Sequence, residues 1–282
     1  MNIKMKKTFI DLLEKSLPNK SHPCYKLWRD YQIRGVERGE AIISQLASHG
    51  ISVQSKLSLD LGCGMGALSI ALKRHGAEVI SLDVSSQGLQ IAKVRAIEED
   101  IKLNLIRACG ENLPLKPETF DLVFFIDVIE HVRDPEVCAK EIGRALKPDG
   151  FLRMNSPNAV SPGVLMRDDE CQLPLISILP LWLAKKYAKI ARQVEDYDVN
   201  KIPKYKFLIR IFEAAGITLF VENAGYISKI RDVTKTQSKK IKWTISILKK
   251  VGVPESFMLG LYIYLIPRLW TFVGQRNDRL AS

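Results

Sequence analysis

Between Lys56 and Ser156, apolar runs of strand length alternate with helical patterns, and this alternation restricts the fold more than any other feature of the 282 residues. Lys56–Leu61, Glu78–Val84, Leu103–Ala108, Phe120–Ile126 and Phe151–Ser156 read as strands. Leu68–Arg74, Gln87–Ile97 and Pro135–Leu146 read as helices. Gly76, Gly110 and the Pro148-Asp149-Gly150 turn stand at expected boundaries. Strict β–α alternation implies a parallel sheet, because each crossover helix must pass over a face of the sheet. A chain that is 46% hydrophobic and 26% charged has the apolar content for such a core. That balance excludes disordered and fibrous classes.

Outside this block the rhythm changes. Residues 24–48 are helical and polar, with Tyr25, Trp28, Tyr31 and Ile33 as apolar contacts. Residues 159–200 read as an insertion holding the charge-free run Leu173–Leu183. Tyr205–Ala215 resumes as a helix, and Ile217–Val221 and Leu269–Gly274 as strands. The expected organisation is an N-terminal helical cap (1–50), a core (51–160), an insertion or substrate cap (161–200) and a C-terminal part of the same domain (201–282). Leu173–Leu183 and a second apolar run, Phe257–Ile266, are too short to span a bilayer, which takes about 20 residues. They read either as a cover over the substrate or as an interfacial surface.

The charge, 42 Lys+Arg against 31 Asp+Glu, gives +11 and is compatible with nucleic acid, an anionic membrane surface or an acidic substrate. Five cysteines without a C-x-x-C pair (Cys24, Cys63, Cys109, Cys138, Cys171) indicate neither a disulfide framework nor a zinc knuckle. A reducing cytoplasm is the expected setting, with membrane association at its cytoplasmic face as the variant. The basic start is interrupted by Asp11, Glu14 and Lys15 and lacks an apolar run, so a secretory leader is not expected.

The chemistry concentrates at Leu57-Ser58-Leu59-Asp60-Leu61-Gly62-Cys63-Gly64-Met65-Gly66, a strand running into glycines that open a helix. Glycine permits the turn and lets a ligand lie against backbone N–H groups at the helix start. Gly62, Gly64 and Ala67 also satisfy the dinucleotide pattern G-x-G-x-x-[GA]. Asp60, however, is a carboxylate where a pyrophosphate binder would avoid one, and it suits a ligand bearing an ammonium group. Asp83 ends the next strand, where an acid can accept both hydroxyls of a ribose.

These residues resemble the class I S-adenosylmethionine-dependent methyltransferases, and within them the ubiquinone-biosynthesis O-methyltransferases. Asp60–Gly66 is similar to the first motif and Asp83 to the ribose-binding acid. Ala108-Cys109-Gly110-Glu111-Asn112-Leu113-Pro114 is similar to the adenine-edge segment. Phe120–Val132 resembles the fourth strand and its turn, and Leu146–Gly150 and Ser156–Asn158 the turn and strand end beyond. The resemblance implies an α/β, Rossmann-like class I methyltransferase fold of about seven strands, parallel except for one, with helices on both faces. It implies S-adenosyl-L-methionine as cofactor, with Asp60, Gly62, Cys63, Gly64, Gly66, Asp83, Val84, Gly110, Glu111 and Ile126 around it. Arg34 or Arg38 would meet its carboxylate. Where relatives commonly have an Asp toward the adenine amino group, Cys109 is a poor acceptor. The Gly110 and Glu111 amides and Leu113 would then hold that edge.

Methyl transfer to a hydroxyl needs a base. Asp127 and His131 are the candidate catalytic residues, His131 having as its other reading a helix-start residue bonded to backbone. Asp127, Glu130 and His131 form D-x-x-E-H, similar to the E-x-x-E-H of the ubiquinone enzymes, which implies a divalent-metal site; the competing reading is a structural motif without metal. Nucleic-acid acceptors are disfavoured. Ile126-Asp127-Val128-Ile129 lacks the [Asp/Asn]-Pro-Pro-[Tyr/Phe] of amino-methylating enzymes, and the one Pro-Cys, Pro23-Cys24, lies far upstream. The basic run at 231–250 lacks interleaved aromatics. The expected activity is methyl transfer to an oxygen, less favourably a nitrogen or carbon, of a small or lipophilic acceptor. A nicotinamide-dependent oxidoreductase and a non-catalytic cofactor-binding partner subunit are the alternatives.

Overall fold

Thr8 and Asp11 close a reciprocal capping box at the start of helix α1 (Phe9–Ser16), two otherwise orphaned amides being satisfied by local side chains. Asp11, Glu14 and Lys15, expected to interrupt an apolar leader, instead form the polar side of this helix. Its Phe9 and Leu13 pack with Ile91. The computed structural model describes residues 8–194, 199, 202–221 and 267–277. The basic run at 231–250 and the apolar run at 257–266 lie outside the described residues.

The helical stretch expected over 24–48 divides at Arg34 into α2 (Tyr25–Ile33) and α3 (Gly35–Ser48). The alternation then follows as β1 (Leu57–Leu61), α4 (Ala67–Arg74), β2 (Glu78–Asp83), α5 (Ser86–Glu98), β3 (Asn104–Arg107), β4 (Phe120–Phe125), α6 (Pro135–Ala145) and β5 (Leu146–Pro157). The insertion holds α7 (Pro162–Met166), a 3-10 turn at Ile176–Ile178 and α8 (Leu181–Arg192). The chain closes with α9 (Tyr205–Ala214), β6 (Ile217–Val221) and β7 (Leu269–Arg276).

Among the described residues the strands form one seven-stranded sheet in the order β3-β2-β1-β4-β5-β7-β6. β7 runs antiparallel to both neighbours, and the other pairings are parallel. This is the expected sheet, with one reversed strand. β5 and β7 are longer than expected because each finds a ladder beyond its apolar run. Leu146 pairs with Phe120, and Gln275 and Arg276 pair with Thr218 and Ile217.

The central strand β4 shows why the sheet carries helices on both faces. Val123 and Phe125 join the cluster that holds Ile142 of α6 and Phe212 of α9, while Leu122 and Phe124 join Ile43, Ala71 and Leu72 of α3 and α4. Successive side chains of a strand point to opposite faces, so a strand apolar throughout must be covered twice. Burying each of these side chains stabilises the fold by about 1.5–3 kcal/mol. Parallel β1, β2, β4 and β5 therefore present their carboxyl ends along one edge, where open α/β sheets bind ligands.

Candidate active site at the carboxyl edge of the sheet

β1 leaves the sheet at Leu61 and enters Gly62–Gly66, where Gly62, Gly64 and Gly66 all have positive φ. The Gly62 and Cys63 amides donate to the Leu82 carbonyl at 2.7 and 3.0 Å, which ties the loop across the end of β2. Two of these glycines differ in purpose. A side chain at Gly62 would collide with Val128, so the missing Cβ admits the segment that follows β4. At Gly64 a Cβ would meet nothing within 4 Å, and the bare backbone faces open space.

Asp83, at the tip of β2, grips this loop. Its Oδ2 accepts from the Gly64 amide at 2.7 Å and its Oδ1 from the Ser85 amide at 2.8 Å. Ser85 in turn caps α5 by accepting from the Gly88 amide at 3.0 Å. Asp60 stands beneath the loop and is 3% exposed. Its Oδ2 accepts from Ser69 Oγ at 2.5 Å, and Ser81 Oγ donates to Ser69 Oγ at 2.7 Å. Burial pushes its carboxyl up to about 6, Asp83 adding to the rise while the Ser69 bond opposes it. Burial, with Asp60 and Asp83 nearby, also raises the pKa of the buried Cys63 thiol.

The segment 108–114 is fastened to α6 and the turn before it. A Cβ at Gly110 would lie 2.8 Å from Cys138 Sγ. Glu111 Oε1 accepts from the Arg133 amide at 2.8 Å, and Glu141 Oε2 accepts from the Leu113 amide at 2.9 Å. Cys109 and Val84 are exposed along the same side, and Val84 carbonyl accepts from Arg107 Nε at 3.1 Å. Ile126 is half-buried beside the α3–α4 cluster.

Past the end of β4, Asp127 takes a left-handed φ of 56°. Its amide donates to Asn155 Oδ1 at 2.6 Å, and its Oδ2 accepts from the Tyr31 hydroxyl of α2. Desolvation of that hydroxyl, reinforced by the Asp127 charge, raises the Tyr31 pKa. The Arg38 guanidinium lies 3.4 Å above the Tyr31 ring and donates to the Tyr31 carbonyl at 2.7 Å. Of the two candidate arginines, Arg38 thus stands at Tyr31, whereas Arg34 turns to Glu37 at 3.2 Å.

The D-x-x-E-H residues do not gather around an ion, which corrects the expectation of a metal at Asp127, Glu130 and His131. Residues 129–131 form a turn closed by the His131 amide donating to the Val128 carbonyl at 2.9 Å. On a turn, a spacing of three does not place side chains on one face as it does on a helix. Asp127 faces Tyr31, while Glu130 points inward, 3% exposed, with its Oε2 lacking a hydrogen-bond partner. Burial pushes the Glu130 carboxyl up to about 8, against the opposing effect of His131. Among the described residues no three His, Cys, Asp or Glu side chains are placed to hold a metal ion.

Tyr31 and Asn155 carry no motif. They read in the sequence as an apolar contact and an ordinary strand residue, and only the fold brings them to Asp127.

The profile of the family described as "Methyltransferase domain" matches residues 59–154, the span from β1 through β5 that builds this edge. Residues 59–154 have the Rossmann-like class I methyltransferase fold and match that family. The ubiquinone biosynthesis O-methyltransferase of Idiomarina loihiensis is 33% identical over 114 residues, covering 40% of this chain and 47% of that protein. Its counterpart in Parvibaculum lavamentivorans is 38% identical over 94 residues, covering 33% and 37%. The chain thus spans less than half the length of these curated relatives. The solved S-adenosylmethionine-dependent methyltransferase of Mesorhizobium loti shares the methyltransferase fold over 84% of this chain and 96% of its own, with a TM-score of 0.52 and 18% identity. The [4+2]-cyclase SpnF does so over 86% and 80%, with a TM-score of 0.51 and 14% identity. One fold thus carries proteins named for different reactions, and activity has to be argued from the site.

Proposed function

We propose that the chain is an S-adenosyl-L-methionine-dependent methyltransferase acting on an oxygen, less favourably a nitrogen or carbon, of a small or lipophilic acceptor. The observation that carries this reading is the open space at Gly64 beside the Asp83 carboxylate, inside a segment that matches the methyltransferase profile. The residues present fit a nucleoside. Asp83 keeps acceptor capacity for ribose hydroxyls, since each carboxylate oxygen carries two lone pairs. Gly62, Cys63, Gly64 and Gly66 form the cradle, and Val84, Gly110, Glu111 and Ile126 flank it. Asp60 supports the cradle from below. The bound cofactor supplies an electrophilic methyl group that leaves a neutral thioether behind.

The chain's own part is to position the acceptor, exclude water and receive a proton. Asp127 Oδ2 accepts from the Tyr31 hydroxyl, and Asp127 Oδ1 is the first proton acceptor of the proposal. His131 is the second proton acceptor of the proposal. Residues 1–50 would cap this edge and the 161–200 insertion would cover the acceptor, with 51–160 and 201–282 forming the sheet domain.

Peripheral contact with an anionic membrane belongs to the same reading. α8 contains Lys185, Lys186, Lys189 and Arg192 without an acid, and its Trp182 and Ile190 are 69% and 73% exposed. Apolar side chains among lysines suit a headgroup layer. Among the described residues, no helix is long and apolar enough to cross a membrane.

Calorimetric titration with S-adenosylhomocysteine and with NADH tests the cofactor. Binding of the first alone is expected, and binding of NADH alone overturns the reading in favour of an oxidoreductase. Mass spectrometry of lipid and quinone extracts, with and without the gene, is expected to show a species displaced by one CH2. No such species, and no turnover over an acceptor panel, would leave a non-catalytic cofactor-binding subunit. Co-sedimentation with anionic vesicles is expected to fall as salt rises; full recovery in the supernatant at low salt removes the membrane contact.

A further inference from the structure

Beside the glycine loop, the same edge of the sheet carries a second concavity, built by residues outside the methyltransferase-matched segment. It has a volume of about 750 Å³ and lies between the insertion, the start of α9 and Trp270. Its wall includes Ile176, Leu179, Leu181, Ala184 and Val199 from the insertion, with Ile202, and all but Leu181 belong to one apolar cluster. A void of this size falls within the range of small-molecule sites.

The polar groups of the wall are already spent on the chain itself. Ser177 Oγ donates to the Ala159 carbonyl at 2.9 Å, and Asn158 Nδ2 donates to the Pro267 carbonyl at 3.0 Å. Water filling such a space would find few partners, which favours an apolar occupant. Charge enters at one side only. Lys204 and Lys206 are exposed along the lining, and among the described residues that line the space there is no carboxylate.

Its position relates it to the cofactor cradle. The space begins at Asn158, directly after β5, and Trp270 pairs with Ser156 at the same end of that strand. β5 is separated from β1 by β4 alone, so the two sites are roughly 10 Å apart across the strands.

We infer that this cavity binds a single-chain amphiphile, its hydrocarbon body inside and its acidic head at Lys204 and Lys206. Naming that occupant as the methyl acceptor rests on the proposed methyltransferase activity; the binding site itself does not.

Titrating the full chain with dodecanoate and with dodecanol, each below its aggregation concentration, tests the site. Dodecanoate is expected to bind at one equivalent and about tenfold tighter than the alcohol, a gain in keeping with two rim charges. The double variant Lys204→Glu/Lys206→Glu, changed only at exposed positions, is expected to lose that preference and keep the alcohol's affinity. Ile178→Trp, placed at a lining residue that is 54% exposed, is expected to weaken both ligands. Ala184→Leu reduces the same space from its buried side and is expected to do likewise if Ile178→Trp does not fold. The inference is overturned by absence of saturable binding, by equal affinity for the two probes, or by an unchanged preference in the charge-reversed variant. S-adenosylhomocysteine binding without a dodecanoate site removes this inference alone. A dodecanoate site without S-adenosylhomocysteine binding removes the cofactor reading and leaves the cavity assignment standing.

Discussion

The hydroxyl of Tyr31 donates to the carboxylate of Asp127 from 96 positions earlier in the chain, and so fastens helix α2 to the tip of β4. A hydrogen bond to a charged acceptor contributes about 1–3 kcal/mol, toward the lower end when water reaches it. Tyr31→Phe is therefore expected to destabilise the docking of residues 25–33 by about 1 kcal/mol. Hydrogen exchange across α2 should quicken in this variant and in Asp127→Asn, while exchange in β4 stays unchanged. Equal exchange in α2 of the variants and the wild type would show that the bond does not fasten the cap.

Gly62 and Gly64 separate folding from ligand binding. Gly62→Ala drives a methyl group into Val128 and is expected to lower the melting temperature, with Val128→Ala restoring part of the loss. Gly64→Ala meets no atom and incurs only the left-handed backbone strain, about 1 kcal/mol. It should fold and yet bind S-adenosylhomocysteine at least about tenfold more weakly, a loss of about 1.4 kcal/mol. Melting curves beside calorimetry distinguish the two, and equal cofactor affinity in Gly64→Ala and wild type would contradict the cradle.

Asp83 and Asp60 should likewise part company. Asp83→Ala removes the acceptor of the Gly64 amide as well as the ribose partner, and at least about a tenfold loss of S-adenosylhomocysteine affinity is expected. Asp60→Asn keeps the shape beneath the loop and is expected to change that affinity less than about threefold. The reverse order of effects would move the recognising carboxylate from β2 to β1.

Glu130 makes stability depend on pH with a definite sign. Its carboxyl is raised from 4.5 to about 8, so the folded chain keeps a proton that the unfolded chain releases between those values. Stability is then highest below the unfolded pKa and falls as pH rises through about 8. The contribution is on the order of 4–5 kcal/mol. Asp60 adds a fall of the same sign between 3.8 and about 6. Thermal unfolding at pH 5 and pH 8 should show a marked drop for wild type and a smaller one for Glu130→Gln. Parallel drops in the two proteins would place the proton elsewhere.

The central strand β4 was legible because a parallel strand covered on both faces must be apolar at successive positions, as Leu122, Val123, Phe124 and Phe125 are. The glycine loop was legible because three positive φ angles within five residues leave little choice but glycine. Long-range geometry was not. Nothing local in Tyr31 or Asn155 announces Asp127, and the spacing of Asp127, Glu130 and His131 does not disclose that the chain turns there, with Asp127 bonded to Tyr31 and Glu130 buried. Helix α1 was hidden for a related reason. Its charges interrupt an apolar run in one dimension and form a polar stripe once the chain is wound.

The placement of β7 between β5 and β6 also affects how the protein is made. Arg153 on β5 donates to the Phe272 carbonyl from 119 positions away, and β7 is the ladder partner of β6. As the chain emerges from the ribosome, β5 reaches the exit long before the segment that will cover its outer rim. Its hydrogen-bonding groups stay open to other nascent chains during that interval. Termination after β6 but before residue 269 would leave both strands without the neighbour they share, a species for chaperones to hold.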